Sequence, residues 1–176
     1  MSTALVVGVS GALAGSSFAK DASSGQADPT GAKAAGHSCQ HLLQGWTELT
    51  LNYNSTGTPV PPGNEVGDAV IYNDAVFDQN DKQVGHAVGY VSIQRKDPAD
   101  GHLISYYHAT EDLPDGQFNE TGTVDRTATW QGVPAVFRIE GTTGAYAGKH
   151  GYLTWRLLQV PVTINTRASL DLWLCD

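Results

Sequence analysis

The sequence predicts an all-β domain of about eight short strands, folded as a barrel or a sandwich. Apolar and polar residues alternate with a period of two in short runs from residue 42 onward, which is typical of half-buried strands. Turn residues interrupt these runs about every 8–12 residues, and no segment has a helical period. Charged residues make up 16% of the chain and glycines number 20, a composition that suits strands and turns better than helical bundles.

The predicted strands follow one another along residues 45–54, 67–78, 83–94, 102–110, 117–130, 133–141, 152–158 and 162–175. Residues 117–130 hold one long strand or two short ones. Three prolines and two glycines make residues 55–64 a loop. Asp78-Gln79-Asn80-Asp81 has the composition of a hairpin turn. If the strands close into a barrel, eight of them leave room for about one small ligand.

The N-terminal part differs in composition from the rest of the chain. Residues 3–19 are small, apolar and uncharged, and Ser17-Phe18-Ala19 fits a small-x-small cleavage site, so residues 1–19 are predicted to be a signal peptide that lacks a basic start. An ordinary Ala/Gly-rich extension is the alternative. Residues 20–36 form a predicted flexible linker, and residues 37–176 form the β domain. We therefore expect a secreted or extracytoplasmic protein that is not held in a membrane after processing.

Cys39 and Cys175, the two cysteines of the chain, stand near the two ends of the predicted domain. A bond between them would close a loop of more than 100 residues and agrees with export to an oxidising compartment. The alternative is two unpaired buried thiols. Their placement at the ends favours the bond.

The net charge of −8 and the lack of a basic run argue against nucleic acid as a partner. His37, Cys39 and His41 have metal-ligand spacing, but Cys39 is already assigned to a disulfide. His102 and His108 lie about 20 Å apart along one strand, too far for one ion. We predict no metal. A homo-oligomer is compatible with the sequence.

A glycine-rich turn lies between the sixth and seventh predicted strands, with the sequence Gly141-Thr142-Thr143-Gly144-Ala145-Tyr146-Ala147-Gly148. We expect Tyr146 to plug one end of the β structure. The turn resembles the "GGTG.Y.GA.G" turn of plant allene oxide cyclases and dirigent proteins. Further likeness, over residues 46–158, lies in Gly67-Asp68, Tyr72-Asn73-Asp74, Val84-Gly85 and Val91-Ser92-Ile93-Gln94. The resemblance is to a bacterial-type relative, and it implies an eight-stranded antiparallel, calycin-like barrel.

The resemblance also implies site residues. In allene oxide cyclases a carboxylate, a water held by polar side chains and a proline loop surround a fatty-acid epoxide. Pro59 is similar to the loop proline, and Asn52 and Asn73 to asparagines of the first two strands. Two positions differ: the family's glutamate falls at Thr50, with Glu48 two residues earlier, and Tyr90 replaces a substrate-contacting cysteine. The resemblance implies Asn52, Pro59 and Asn73 as substrate-binding residues, and Tyr106 is predicted beside them because of its phenol group.

Glu48 and Tyr90 are the predicted catalytic residues. If Glu48 is buried, desolvation raises the pKa of its carboxyl group and suits it to acid–base chemistry; if Leu49 and Leu51 face the core instead, Glu48 faces water. A phenol such as that of Tyr90 or Tyr106 can bond a carbonyl and steer charge. Trp130, Trp155 and Trp173 are interpreted as packing residues. The family match implies that Glu48, Asn52, Asn73 and Tyr90 all point inward.

The expected function is that of a cofactor-independent cyclase or isomerase, of the pericyclic or Diels–Alder kind, in natural product biosynthesis. It would fold an apolar polyunsaturated or polyketide-like molecule inside the barrel. The alternative is a secreted barrel that binds a small molecule without turnover, as dirigent proteins are described to orient radicals made by another enzyme. A barrel with a purely structural role is the third reading.

Overall fold

The structure is a computed structural model that describes residues 38–57, 64–163 and 165–176. Pro59, the predicted signal peptide at 1–19 and the predicted linker at 20–36 lie outside these ranges. No helix within the described ranges is long and apolar enough to cross a membrane.

The eight predicted strands close into one antiparallel barrel, in which each strand pairs with its neighbours in chain order and the last pairs with the first. This confirms the predicted eight-stranded barrel. The strands are β1 Cys39–Ser55, β2 Ala69–Phe77, β3 Gln83–Lys96, β4 Leu103–Leu113, β5 Gly116–Asp125, β6 Ala135–Gly141, β7 His150–Leu157 and β8 Arg167–Cys175.

The prediction that residues 117–130 are entirely strand is wrong, because β5 ends at Asp125 and a short helix, α1 (Arg126–Trp130), follows. The Asp125 side chain caps this helix by accepting a hydrogen bond from the Ala128 N–H at 2.8 Å. The β-branched threonines around the cap favour a strand, and the capping aspartate overrides that preference. We call the end of the barrel that carries α1 the helix end.

The other end, which we call the turn end, is closed by the glycine-rich turn. Gly144 adopts a φ of 60°, which costs a glycine little, and the chain folds back so that Tyr146 is buried. The Tyr146 ring packs edge-on against Phe118 with centroids 5.7 Å apart. The predicted plug is therefore confirmed. Tyr146 belongs to the main apolar core, which also includes Leu113, Ile139, Leu153, Leu172 and Leu174.

The seam between β1 and β8 is joined covalently at the turn end. Cys39 and Cys175 are directly opposite in the strand register and form a disulfide, with a Cα–Cα distance of 4.1 Å. The predicted pairing is confirmed.

Candidate active site

Four carboxyl groups point into the barrel, one from each of four strands. Glu48 lies on β1, Asp74 on β2, Glu111 on β4 and Glu120 on β5, and their residues are between 1% and 6% exposed. Acidic side chains are almost never buried without a specific reason. The interior of this barrel is therefore acidic at its centre and apolar toward the turn end.

Small residues on the neighbouring strand β3 make room for these long side chains. Ala87 on β3 is paired with Asp74 on one side and Glu111 on the other. Gly89 lies beneath the Tyr72 ring, which occupies the space that a Cβ atom would need. Because inward positions alternate with outward ones, short side chains on β3 let neighbours from β2 and β4 fill the interior.

A hydrogen-bond chain connects two of the acids with an aromatic residue. The Trp155 indole N–H donates to Glu48 Oε2 at 2.7 Å. Glu48 and Asp74 share a side-chain hydrogen bond, and Thr50 bonds to Asp74. Two carboxyl groups can bond to each other only when at least one of them holds a proton. The arrangement therefore stabilises a proton inside the barrel.

Burial is the main reason that all four carboxyl groups stay protonated more readily than in water. It raises the pKa of Glu48 and of Glu111 well above the usual value, and neighbouring acids raise both further. Desolvation, together with the charge of Asp74, raises the pKa of Glu120 to about 8. The pKa of Asp74 is also raised by burial, against the lowering effect of its hydrogen bonds. Near neutral pH the cluster thus holds several acidic protons.

Several oxygen atoms of this cluster lack a protein partner. Both carboxyl oxygens of Glu111, Oε2 of Glu120 and Oδ1 of Asp74 are buried without a hydrogen bond to the described residues. An unsatisfied buried polar atom costs about 1–3 kcal/mol. These atoms are therefore the natural contact points for a bound molecule or for water.

Toward the helix end the interior carries phenols and a cation. The Arg126 guanidinium is buried, donates to the Tyr107 hydroxyl at 2.6 Å and lies 4.5 Å from the centroid of the Trp130 ring. Burial raises the pKa of Tyr107, while the neighbouring Arg126 lowers it; for Tyr72, burial followed by the charges of Glu120 and Glu48 raises the pKa well above its usual value. Both phenols are therefore neutral hydrogen-bond donors.

The predicted site residues are not brought together inside the barrel. Glu48 is inside. Tyr90 is 41% exposed on the outer face, and Asn73 and Tyr106 occupy outward positions of their strands. Asn52 is exposed. The predicted inward placement of Asn52, Asn73 and Tyr90, and with it the use of Tyr106 as an interior ligand, is wrong. Pro59 lies outside the described residues.

Two physical reasons explain these errors. On β1 the register shifts between Thr50 and Asn52, so that Thr50 pairs with Asp74 but Asn52 pairs with its neighbour Asn73. Such a bulge moves every later side chain to the opposite face. On β3 both faces carry apolar residues, and the smaller ones, such as Ala87 and Gly89, are the inward set. Tyr90 is therefore outside although its hydrophobic character favours burial.

The residues that the sequence analysis overlooked carry a readable pattern. Glu111 lies two positions from both Ala109 and Leu113, and Glu120 lies two positions from Phe118. A carboxylate flanked by apolar residues two positions away on a strand shares their face. Asp74 and Tyr72 flank Asn73 in the family motif, and it is they, not Asn73, that point inward. Trp155, interpreted as a packing residue, also donates to Glu48.

One group of side chains in the described part of the chain has metal-ligand spacing. Asp100, His102 and Asp125 place one ligand atom each within 4.8 Å of one another near the helix end. His102 Nδ1 lies 2.6 Å from Asp125 Oδ2 and takes part in a hydrogen bond with it, so an ion would have to displace this bond. All three are surface residues. The four interior carboxyl groups do not meet this spacing.

Comparison with known proteins places the chain in a family. The description "Allene oxide cyclase barrel like domain" applies to a sequence family whose profile matches residues 47–170. The chain belongs to the allene oxide cyclase-like barrel family. The match begins within β1 and ends within β8, so it includes all four interior acids.

Solved structures of this barrel type come from different kinds of protein. AbnU, an exo-specific intermolecular Diels-Alderase, is 22% identical, with a TM-score of 0.68 over 80% of this chain and 98% of AbnU. The Diels Alderase AbmU from Streptomyces koyangensis is 25% identical, with a TM-score of 0.64 over 77% of this chain and 63% of AbmU. The pterocarpan synthase dirigent protein GePTS1 is 14% identical, with a TM-score of 0.57 over 79% of this chain and 90% of that chain. The allene oxide cyclase-like barrel is thus similar to both cyclases and dirigent proteins.

Proposed function

We propose that this barrel is a cofactor-independent cyclase that closes a ring in an apolar, polyunsaturated or polyketide-like molecule bound in its interior, by a cycloaddition of the Diels–Alder kind. The observation that carries the proposal is the set of four carboxyl groups buried inside the barrel, where desolvation raises the pKa of Glu111 and Glu120. Similarity in fold to two Diels-Alderases supports the reaction class.

The apolar walls hold the substrate in a folded shape. Phe137 and Tyr107 pack with ring centroids 5.4 Å apart, and Val70, Val91 and Ile93 form a second apolar cluster. Such walls bind a polyene through burial of apolar surface. Holding the two reacting ends together removes much of the entropic barrier to ring closure.

The acids then polarise the substrate. Glu111 is the best-placed donor because neither of its oxygens forms a hydrogen bond with a described residue, and a neutral carboxyl group donates one O–H bond. A hydrogen bond from Glu111 or Glu120 to a substrate carbonyl withdraws electrons from the adjacent double bond. Two carbon–carbon bonds then form from the π electrons of diene and dienophile, and no proton leaves the enzyme. Glu48, held by Trp155, keeps the neighbouring Asp74 in position.

The test uses a panel of linear polyenes that carry a diene and a carbonyl-activated dienophile. We expect loss of polyene absorbance faster than in buffer, and one stereoisomer in excess by chiral chromatography. Glu111→Leu removes the donor and should slow turnover by about 100-fold, as loss of a transition-state hydrogen bond does. Glu140→Leu alters an acid on the outer side of β6 and is the matched control.

The competing function is a barrel that binds and orients a small molecule without turnover, as its similarity to a dirigent protein suggests. Saturable binding of the polyenes, with unchanged rate and unchanged product ratio, would establish that function and overturn the cyclase proposal. Equal rates for Glu111→Leu and the unaltered protein would remove the proposed role of the acid while leaving the binding role of the walls.

We also propose that the protein works outside the cytoplasm. The Cys39–Cys175 bond supports this location, because structural disulfides are rare in reducing compartments. Fractionation of the source cells tests this location, and we expect the protein in the exported fraction.

A further inference from the structure

Asp74 and Glu111 face each other across one strand inside the barrel. Both are paired with Ala87 of β3, Asp74 from β2 and Glu111 from β4, so the backbones that carry them lie about 10 Å apart. Between them β3 contributes only the methyl group of Ala87. Asp74 is 5% exposed and Glu111 is 1% exposed. The two carboxyl groups therefore flank one position of the interior.

Each of these two acids has oxygen atoms that can contact a bound molecule. Oδ1 of Asp74 and both carboxyl oxygens of Glu111 are buried and form no hydrogen bond with a described residue. A buried polar atom without a partner is costly. A substrate with one polar end, placed between the two acids, would satisfy both of them at once.

The surroundings of the two acids differ in a way that separates their roles. Glu48 and Thr50 both form side-chain hydrogen bonds with Asp74; burial raises the pKa of Asp74, and these bonds lower it. Glu111 forms no such bond with the described residues, and burial, followed by the charges of nearby acids, raises its pKa well above the usual value. Asp74 therefore ionises before Glu111. Neighbouring groups whose pKa values are pushed apart in this way are suited to act as base and acid.

We infer that Asp74 and Glu111 act as base and acid to move a carbon–carbon double bond in a β,γ-unsaturated ketone or ester carried on an apolar chain. Glu111 donates its O–H to the carbonyl oxygen. Asp74 Oδ1 takes a proton from the α-carbon, and the electrons of that C–H bond form a dienolate whose negative oxygen Glu111 stabilises. Asp74 then returns the proton to the γ-carbon, the carbonyl re-forms, and the double bond lies between the α- and β-carbons. No oxidant or reductant is needed.

This activity goes beyond ring closure, and it rests on the proposed function only in that the same apolar walls bind the chain. Val70, Val91 and Ile93 line the interior on β2 and β3, the two strands that carry Asp74 and Ala87. The product is an α,β-unsaturated carbonyl compound, in which the carbonyl activates the double bond as a dienophile. The isomerisation would thus supply the kind of reactant that the proposed cycloaddition consumes.

Straight-chain β,γ-unsaturated ketones with a single carbon–carbon double bond test the inference, because they contain no carbon diene. With the full chain we expect the absorbance of a conjugated enone to appear faster than in buffer of the same pH. Asp74→Asn keeps the shape but removes the base, and should slow this conversion by about 10²–10⁴-fold, the usual contribution of general acid–base catalysis. Asp112→Asn makes the same change at an outward, 43% exposed side chain of β4 and should leave the rate unchanged.

A second pair of variants tests the acid. Glu111→Gln keeps an N–H donor toward the carbonyl, whereas Glu111→Leu removes every donor, so Glu111→Leu should be the slower of the two. Binding of a saturated ketone of the same length, followed by tryptophan fluorescence, shows that each variant is folded and keeps its site. The inference is overturned if the unaltered protein forms no enone faster than buffer does, or if Asp74→Asn and Asp112→Asn have equal rates.

Failure of this inference is distinguishable from failure of the cyclase proposal, because different molecules report the two reactions. Ring closure of conjugated polyenes without isomerisation of the single-alkene ketones overturns the isomerase inference alone. Isomerisation of these ketones without ring closure of the polyenes overturns the cyclase proposal alone and supports the acid–base pair.

Discussion

At the scale of single residues, the protein buries four acids in the interior of the barrel. Glu111 and Phe118 are paired neighbours on β4 and β5, so a carboxyl group and a phenyl ring share the same interior. A charged carboxylate would be very costly there. The fold therefore favours the neutral form of these carboxyl groups.

This arrangement predicts that stability falls as pH rises. Burial raises the pKa of Glu120 to about 8, against about 4.3 for an unfolded chain, so the folded chain binds more protons between these values. The free energy of unfolding therefore decreases with pH over that window, by about 1.4 kcal/mol per pH unit for one such group. Urea unfolding should show a lower midpoint at pH 8 than at pH 5.

The variant Glu120→Gln checks the assignment. It removes an ionisable group while keeping its shape, so the pH slope should become shallower and the stability at pH 8 should increase. Glu140→Gln, on the outer side of β6, should leave the slope unchanged. A rise in stability from pH 5 to pH 8 in the unaltered protein would contradict the protonated cluster.

At the scale of elements, α1 positions Arg126 at the helix end of the barrel, and the N-cap residue Asp125 stabilises α1. The Asp125 side chain accepts from the Ala128 N–H and, through its other oxygen, contacts the His102 ring. Thr129 donates its hydroxyl to the Asp125 carbonyl at 2.8 Å. One aspartate thus connects β5, α1 and the turn before β4.

Replacing Asp125 by alanine should destabilise the barrel by about 1–2 kcal/mol, the usual cost of a lost N-cap. The loss should be greater at pH 6 than at pH 8.5. The hydrogen bond with Asp125 raises the pKa of His102, so this contribution is present below the unfolded pKa and disappears as pH rises through the folded one. Thermal unfolding of Asp125→Ala beside Asp100→Ala, an exposed neighbour of His102, measures the difference; equal losses would contradict the capping role.

The elements also show what sequence reasoning can and cannot reach. Strand existence was predictable because alternation and turn chemistry are local. Which side chains of a strand point inward was not predictable where a contact with another strand decides it. The bulge after Thr50 depends on pairing with β2. The inward choice on β3 depends on the bulk of Tyr72 opposite Gly89. Glu48, whose face the sequence pattern left open, points inward as the family resemblance implies, because it precedes the bulge.

At the scale of the whole molecule, the disulfide joins residues 136 positions apart. On the chain-entropy model such a loop stabilises the folded state by up to about 4–5 kcal/mol, less any strain. The double variant Cys39→Ser/Cys175→Ser should therefore unfold at a clearly lower temperature, yet keep its barrel, because a core of this size supports itself. Reduction of the unaltered protein should reproduce the loss and should leave the double variant unaffected. Non-reducing mass spectrometry that finds two free thiols would contradict the bond.

The register of Cys39 with Cys175 also gives the barrel the connectivity of a ring. The last residues of β8 lie beside the first of β1, and the bond between them makes residues 39–175 a covalently closed circle. A single proteolytic cut in the exposed segment 158–162 would open this circle without releasing a fragment. The fold therefore does not depend on a chain break between β8 and β1. A circular permutant that begins in the hairpin around Asn80, with the original termini linked, should keep the same order of paired strands.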